Sequence, residues 1–352
     1  MKTLYEEIEK QLRRLDFGAL WPGFHPLKFA LYDDKEVFFD GRFVEKTSAF
    51  CANTAIEYEG EQIAIWNMEG EQLKDAEILT SKIVHEMFHA YQTKKQEARH
   101  AKELEAVVKY RYDAENFAAK MREGELLAEL MKSLLEDGSA VPEQDALAEF
   151  LSLRALRRSR FSYEFRYEVC NEQIEGCANF VELECLRQLS EEKAAKGWAR
   201  QIACLTDANA YFPVRPVCYA FGACLLKVLH ARRVPGIFDF SEITFPELVL
   251  KDVAPADTLP SHPEMSSRTA AYLEETKRIV EDAVRNGDVV LEGDFRLVSP
   301  NIYDARYYDN HITSRFFVAY EEEGEMKQLR GPFFVILVDD DLRIKRVWKK
   351  KE

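Results

Sequence analysis

His85, Glu86 and His89 lie in the run Ile83-Val84-His85-Glu86-Met87-Phe88-His89. If the run is helical, the spacing has chemical consequences. Residues four apart on an α-helix stand one above the other, so the two imidazoles share a face. Two such nitrogens can hold one metal ion, and zinc is the usual occupant of a site built from imidazole and carboxylate. Glu86 follows His85 by about 100° around the helix. That puts its carboxylate beside the ion, able to take a proton from a water the metal polarises without itself being a ligand.

The surrounding residues favour such a helix. Thr80 or Ser81 can start it, and Ile78, Leu79, Ile83, Val84, Met87, Phe88 and Tyr91 cover nearly its whole circumference. A helix that is apolar all round is buried. Burying two histidines and a glutamate is unfavourable unless they are paired or bound to metal. A metal centre is therefore the stronger reading, over histidines merely hydrogen-bonded in a core.

The segment resembles the active-site helix of a zincin metallopeptidase, although the resemblance covers only this short motif. It implies one catalytic zinc, a polarised water and a third protein ligand further along the chain. Residues 90–99 lack the Gly and His of the short metzincin spacing, so the third ligand is expected from another helix, as in gluzincins. The candidate stretch is Asn171-Glu172-Gln173-Ile174-Glu175-Gly176-Cys177-Ala178-Asn179-Phe180.

Glu175 is the first choice there. Gly176 and Ala178 are small enough to let this helix approach the His85 helix closely. Asn179, one turn on, could accept a hydrogen bond from a ligand imidazole and so fix its tautomer. Gluzincins commonly hold Asp at that place, so Asn is a departure. Glu-Gly-x-Ala followed by an aromatic also resembles the third-ligand segment of several gluzincin-like families. Glu172 is the alternative. On the competing reading, Glu168, Glu172, Glu175, Glu182 and Glu184 are simply the charged face of a helix.

Hydrolysis at such a centre needs a donor for the developing oxyanion. Tyr219 is the first candidate, because it opens an apolar helix. His230, Arg306, Tyr307 and Tyr308 are others, each with a packing or surface role as the competing reading. His262 and His311 read as lone loop histidines. The chain carries no G-x-S-x-G and no phosphate-cradling glycine loop.

Composition sets the broader limits. The 352 residues are 47% hydrophobic and 31% charged, which suits a globular protein of one large domain with an appendage, or of two domains. A formal net charge of −14 disfavours nucleic acid and anionic membranes as partners. The N-terminal stretch is charged throughout, unlike a signal peptide. No apolar run approaches the roughly 20 residues that span a bilayer. Seven cysteines without a C-x-x-C pair read as reduced thiols, and a cytoplasmic location is expected. Oligomeric state is left open.

Patterning predicts a helix over 1–16, a loop at Trp21-Pro22-Gly23 and Pro26, and strands between Phe29 and Val44. A hairpin follows, from Thr54–Tyr58 to Gln62–Met68. By the resemblance, Ile63–Asn67 is a candidate for the rim strand of a substrate cleft; it reads equally as an ordinary interior strand. Residues 73–250 are mainly helical. They include one or two solvent-facing helices over 97–136, a loop at 138–142, and a helix over 143–160. The cluster Arg154, Arg157, Arg158 and Arg160 on that last helix reads as a solvated face rather than a substrate patch. A helix runs from Val217 to Leu229, 232–260 is irregular, and Ser267–Arg285 is helical again.

From 289 the short runs Val289–Leu291, Phe295–Val298, Arg315–Tyr320, Phe333–Val338 and Ile344–Trp348 predict a small antiparallel β-unit. The expected fold class is α+β: a mainly helical zincin-like body over 1–288 with a small N-terminal sheet, then the β-unit over 289–352. The expected function is a zinc-dependent metallopeptidase acting on a peptide or protein substrate. The alternatives are a non-catalytic zincin-fold module that binds or senses a protein partner, and a purely structural zinc.

Overall fold

Two five-stranded sheets flank a helical body in the computed structural model, which describes residues 1–69, 75–136 and 144–350. The fold is α+β, and the expected loop at 138–142 lies outside the described residues.

After helices α1 (Lys2–Leu12) and α2 (Phe17–Leu20) come β1 (Phe29–Tyr32), β2 (Val37–Phe39), β3 (Arg42–Val44), β4 (Thr54–Tyr58) and β5 (Glu61–Asn67). Their order in the sheet is β3-β2-β1-β5-β4, with β1 parallel to β5 and the other pairs antiparallel. Asp40-Gly41 and Glu59-Gly60 turn the two hairpins with positive φ at both positions, the geometry that matches strand twist. Alternation along β5 sends Ala64 and Trp66 into the main core and Ile63 and Ile65 into a second cluster with Tyr32, Phe39 and Phe50.

Of the two readings of Ile63–Asn67, the interior strand holds: β1 pairs along β5 on the side away from β4, so β4 is the edge on that side.

The body begins with α3 (Ala76–Lys94), capped by Asp75, whose carboxylate accepts from the Glu77 and Ile78 amides at 3.0 and 3.2 Å. The helix therefore starts before Thr80 and Ser81, whose hydroxyls donate back to the Ala76 and Ile78 carbonyls. Next are α4 (Glu103–Lys109), α5 (Ala114–Glu136), α6 (Gln144–Arg160) and α7 (Ser162–Asn171). One π-helical turn, Glu172–Gly176, then leads into α8 (Cys177–Leu189). The body is completed by α9 (Glu191–Thr206), α10 (Val214–Ala231), α11 (Phe245–Leu248) and α12 (Pro263–Asn286). By length and composition α10 could cross a membrane, but 72% of it is buried inside the protein.

Two expectations about charge fail in this body. α5 is not solvent-facing; Phe117, Lys120, Glu123, Leu127 and Met131 are all fully buried. Arg154 and Arg157, three apart on the inward face of α6, are each 0% exposed, while Arg158 and Arg160 are exposed. Arg157 bonds Glu168 at 2.6 Å and Glu123 at 2.9 Å, Lys120 bonds Glu168 at 2.8 Å, and Arg154 bonds Glu172 at 2.6 Å. Three cations meet three carboxylates, the pairing that a buried charge requires.

The C-terminal strands are β6 (Asp288–Pro300), β7 (Tyr307–Tyr308), β8 (His311–Glu322), β9 (Glu325–Val338) and β10 (Arg343–Lys349). They lie in the order β6-β10-β9-β8-β7, and the far end of β6 also pairs with β8. Four long strands thus close on themselves around Leu297, Ile312, Val318, Ile336 and Ile344. The unit is antiparallel, as its turn pattern predicts. Val107 and Val108 of α4 pack on its core, and Val280 and Ala283 of α12 pack on Val335 and Trp348.

Candidate metal centre

α3 and the π turn with α8 run antiparallel, so residues early in α3 face residues late in α8. His85 and His89 point their Nε2 atoms at one another, 3.1 Å apart. Glu175 Oε2 completes a triangle, 3.3 Å from His89 Nε2 and 3.8 Å from His85 Nε2. Ligands about 2.0–2.2 Å from one tetrahedral zinc stand roughly 3.3–3.5 Å apart. The three donor atoms are spaced to suit such an ion.

The far side of each ring fixes which atom faces inward. Gln92 donates its Nε2 to the Ile174 carbonyl at 3.1 Å, which turns its Oε1 to His89 Nδ1 at 2.8 Å. An acceptor there assigns the proton to Nδ1 and leaves the Nε2 lone pair pointing into the triangle. His85 Nδ1 stands 3.1 Å from Glu182 Oε2, off the line of an ideal hydrogen bond. Burial lowers the His85 imidazole, but Glu175 and Glu182 outweigh it and hold the ring well above its ordinary value, so a proton balances these carboxylates where a bound cation would take its place. The donor set therefore fits the ion that the motif implies.

Asn179 is not the expected imidazole partner. Glu182, two turns after Glu175, stands in line with it and takes that place beside His85. The role assigned to Gly176 is corrected as well. A Cβ on Gly176 would meet Gly222 of α10, not α3, so the small residue seats the π turn on α10. Glu172, the alternative ligand, is turned into the buried ion network by Arg154.

Arg215, at the start of α10, holds the outer side of Glu175. One nitrogen donates to Glu175 Oε1 at 2.8 Å, Nε donates to Glu103 Oε1 at 3.1 Å, and Nη1 bonds the Tyr219 hydroxyl. Burial opposes ionisation of Glu175, but His85, His89 and Arg215 outweigh it and hold the carboxyl far below its usual range. Burial, and then the charge of Glu175, push the Tyr219 phenol up, so it stays a protonated donor. Tyr303, from the C-terminal unit and 55% exposed, stacks over the Arg215 guanidinium with its ring centroid 4.7 Å away.

Glu86 stands outside the donor triangle, partly buried. Burial raises its carboxyl above the ordinary value, against the opposing pull of His85 and His89. That direction suits a proton acceptor working nearer neutral pH.

The other candidates are placed elsewhere. His230 packs against Phe180 and Phe238, His262 caps α12, and His311 bonds the Asp309 carbonyl. Arg306 pairs with Glu275, Tyr307 donates to Asn310, and Tyr308 packs near Val335 and Trp348. Gln92, Glu182, Arg215 and Tyr303 were not anticipated. Gln92 lies three residues after His89, and Arg215 four before Tyr219, so helical spacing alone could have flagged both.

Comparisons with known protein families, with characterised proteins and with solved structures find no match to this chain.

Proposed function

We propose that this protein is a zinc-dependent metallopeptidase of the zincin, gluzincin-like kind, hydrolysing peptide bonds in a peptide or protein substrate. The observation that carries the reading is the convergence of His85 Nε2, His89 Nε2 and Glu175 Oε2, with the His89 tautomer set by Gln92, beside a carboxylate kept out of the triangle. A zinc ion bound there would polarise a carbonyl and acidify water.

The chain's own residues supply the rest. Glu86 takes a proton from the attacking water. As the C–N bond breaks, it passes that proton to the departing amine, so acid and amine products balance the water consumed. Gln92 and Glu182 keep the imidazoles oriented. Arg215 occupies Glu175 Oε1, which leaves Oε2 turned toward the histidines. Tyr219 offers an O–H toward developing negative charge. The free cysteines, five of them buried, support placing the protein in a reducing compartment, the cytoplasm.

The deciding experiment pairs metal content with turnover of a broad peptide library. Glu86→Gln should keep its zinc and lose about 10²–10⁴-fold in rate, since only the proton acceptor is removed. His85→Ala and His89→Ala should lose the metal. Equal zinc in all three variants and the wild type would remove the site. Loss of zinc from Glu86→Gln would make Glu86 a ligand or a structural residue. A wild type that holds zinc but cleaves nothing in the library would favour the binding-module alternative.

A further inference from the structure

Arg215 also lines a pocket of about 330 Å³ formed by α4, the start of α10, α12 and residues 302–307 of the C-terminal unit. That volume is in the range of small-ligand sites. Val107, Val108 and Leu273 give it an apolar wall, and tyrosine rings, among them Tyr112, Tyr167 and Tyr272, supply flat aromatic surface. Its lining holds three arginines, Arg111, Arg215 and Arg306, and no aspartate or glutamate.

The polar groups are arranged as donors. Arg215 is already engaged by Glu103, Glu175 and Tyr219. Arg306 lies over the Tyr272 ring at 4.4 Å and gives Nη1 to Glu275 at 2.8 Å. A guanidinium carries five N–H donors, so capacity remains for a ligand. Tyr272 is 6% exposed, its ring lies 4.6 Å from that of Tyr112, and the two phenols share a hydrogen bond. Two phenols that share one hydrogen bond retain one O–H between them, which an acceptor oxygen placed in the pocket would engage.

We propose that this pocket binds a carboxylate carried on an aromatic or branched apolar body. The apolar wall and rings take the body, and Arg306 and the Tyr112–Tyr272 hydroxyl pair take the oxygens. Two sources present this chemistry: the C-terminal residue of a peptide and a free aromatic acid. Binding here requires no metal and no turnover, so this inference and the peptidase reading can fail separately.

The test is ligand-observed NMR titration of the full chain with N-acetyl-phenylalanine and with N-acetyl-phenylalaninamide. The acid is expected to bind, with the amide and the Arg306→Ala variant each weaker by about tenfold or more, the scale of a lost charge-assisted hydrogen bond. Tyr272→Phe, which removes only a hydroxyl of that pair, should weaken binding about three- to tenfold. It keeps the test alive if loss of the Glu275 pair unfolds Arg306→Ala. Displacement by Ala-Ala-Phe assigns the peptide C-terminus as the source, and displacement by 3-phenylpropionate alone assigns a free acid; either supports the pocket. Equal affinity for acid and amide, no binding of either, or wild-type affinity in both variants overturns it.

Discussion

Gly176 and Gly222 are pressed together so closely that neither tolerates a side chain: a Cβ on Gly222 would stand 2.7 Å from the Gly176 Cα and 2.4 Å from the Glu172 carbonyl oxygen. In a free helix, alanine in place of glycine gains about 1 kcal/mol. Here the sign should reverse. Gly222→Ala must push the π turn off α10, and overpacking of this kind costs about 1–3 kcal/mol. Glu175 rides on that turn, so zinc affinity should fall together with stability. Urea unfolding and a zinc titration on the same variant check both, and a variant that matches wild type in the two would disprove the coupling.

Gln92 ties α3 to the π turn that carries Glu175, through His89 on one side and Ile174 on the other. Gln92→Ala leaves a buried carbonyl and a ring N–H without partners and frees the imidazole to rotate. Loss of such a partner typically weakens metal affinity about 10–100-fold. Competition against a chelator of known strength measures this directly. Unchanged affinity would mean that packing alone orients His89.

The two central glutamates of the buried ion network should respond to substitution in opposite degree. Burial works against Glu168, yet Arg157 and Lys120 outweigh it and lower its carboxyl to about 2. Burial dominates at Glu123, which is raised despite Arg157, Arg154 and Lys120 and leaves Oε1 without a hydrogen bond among the described residues. Glu168→Gln should therefore cost about 3–5 kcal/mol at neutral pH, the price of breaking a buried pair, and Glu123→Gln clearly less. A depressed folded-state value gives stability that is complete above the ordinary 4.5 and lost as pH falls toward 2. The gap between wild type and Glu168→Gln should accordingly narrow across that interval in denaturant titrations. A gap that stays constant with pH would show that shape, not charge, sets the loss.

What the sequence revealed about this site depended on how local each relationship was. His85, Glu86 and His89 are fixed by one helix, so spacing alone places them. Glu175 was also legible, but for a reason that needed correction: Gly176 marks a close approach, and the partner across it is Gly222. The antiparallel unit after 288 could be read from its turns, although polar stretches such as Glu325–Gln328 hid how far the strands extend. The buried ion network could not be read. A charged helix face looks the same in sequence whether it meets water or opposite charges, and only the packing of α5, α6 and α7 distinguishes Arg157 from Arg158. Glu182 and Arg215 were hidden for a similar reason, since each acts across a helix–helix contact.

Arg215 allows the charge balance of the centre to be tested without any substrate. Its guanidinium neutralises Glu175 from outside the triangle, while a bound cation would neutralise it from inside. Arg215→Met removes the outer partner and keeps most of the apolar stem. Without metal, Glu175 is then left to the two histidines, which already supply the larger share of its stabilisation, so the loss should fall below the roughly 3–5 kcal/mol of an unpaired buried charge. With zinc bound, the ion takes over much of that neutralisation and the loss should be smaller. Glu103 loses the same arginine in both states, so its contribution cancels in the difference. Unfolding of wild type and variant, each with and without zinc, forms a four-state cycle whose coupling isolates Glu175. Zinc should stabilise the variant more than the wild type. Equal stabilisation of the two would mean that Arg215 and the metal do not share this carboxylate.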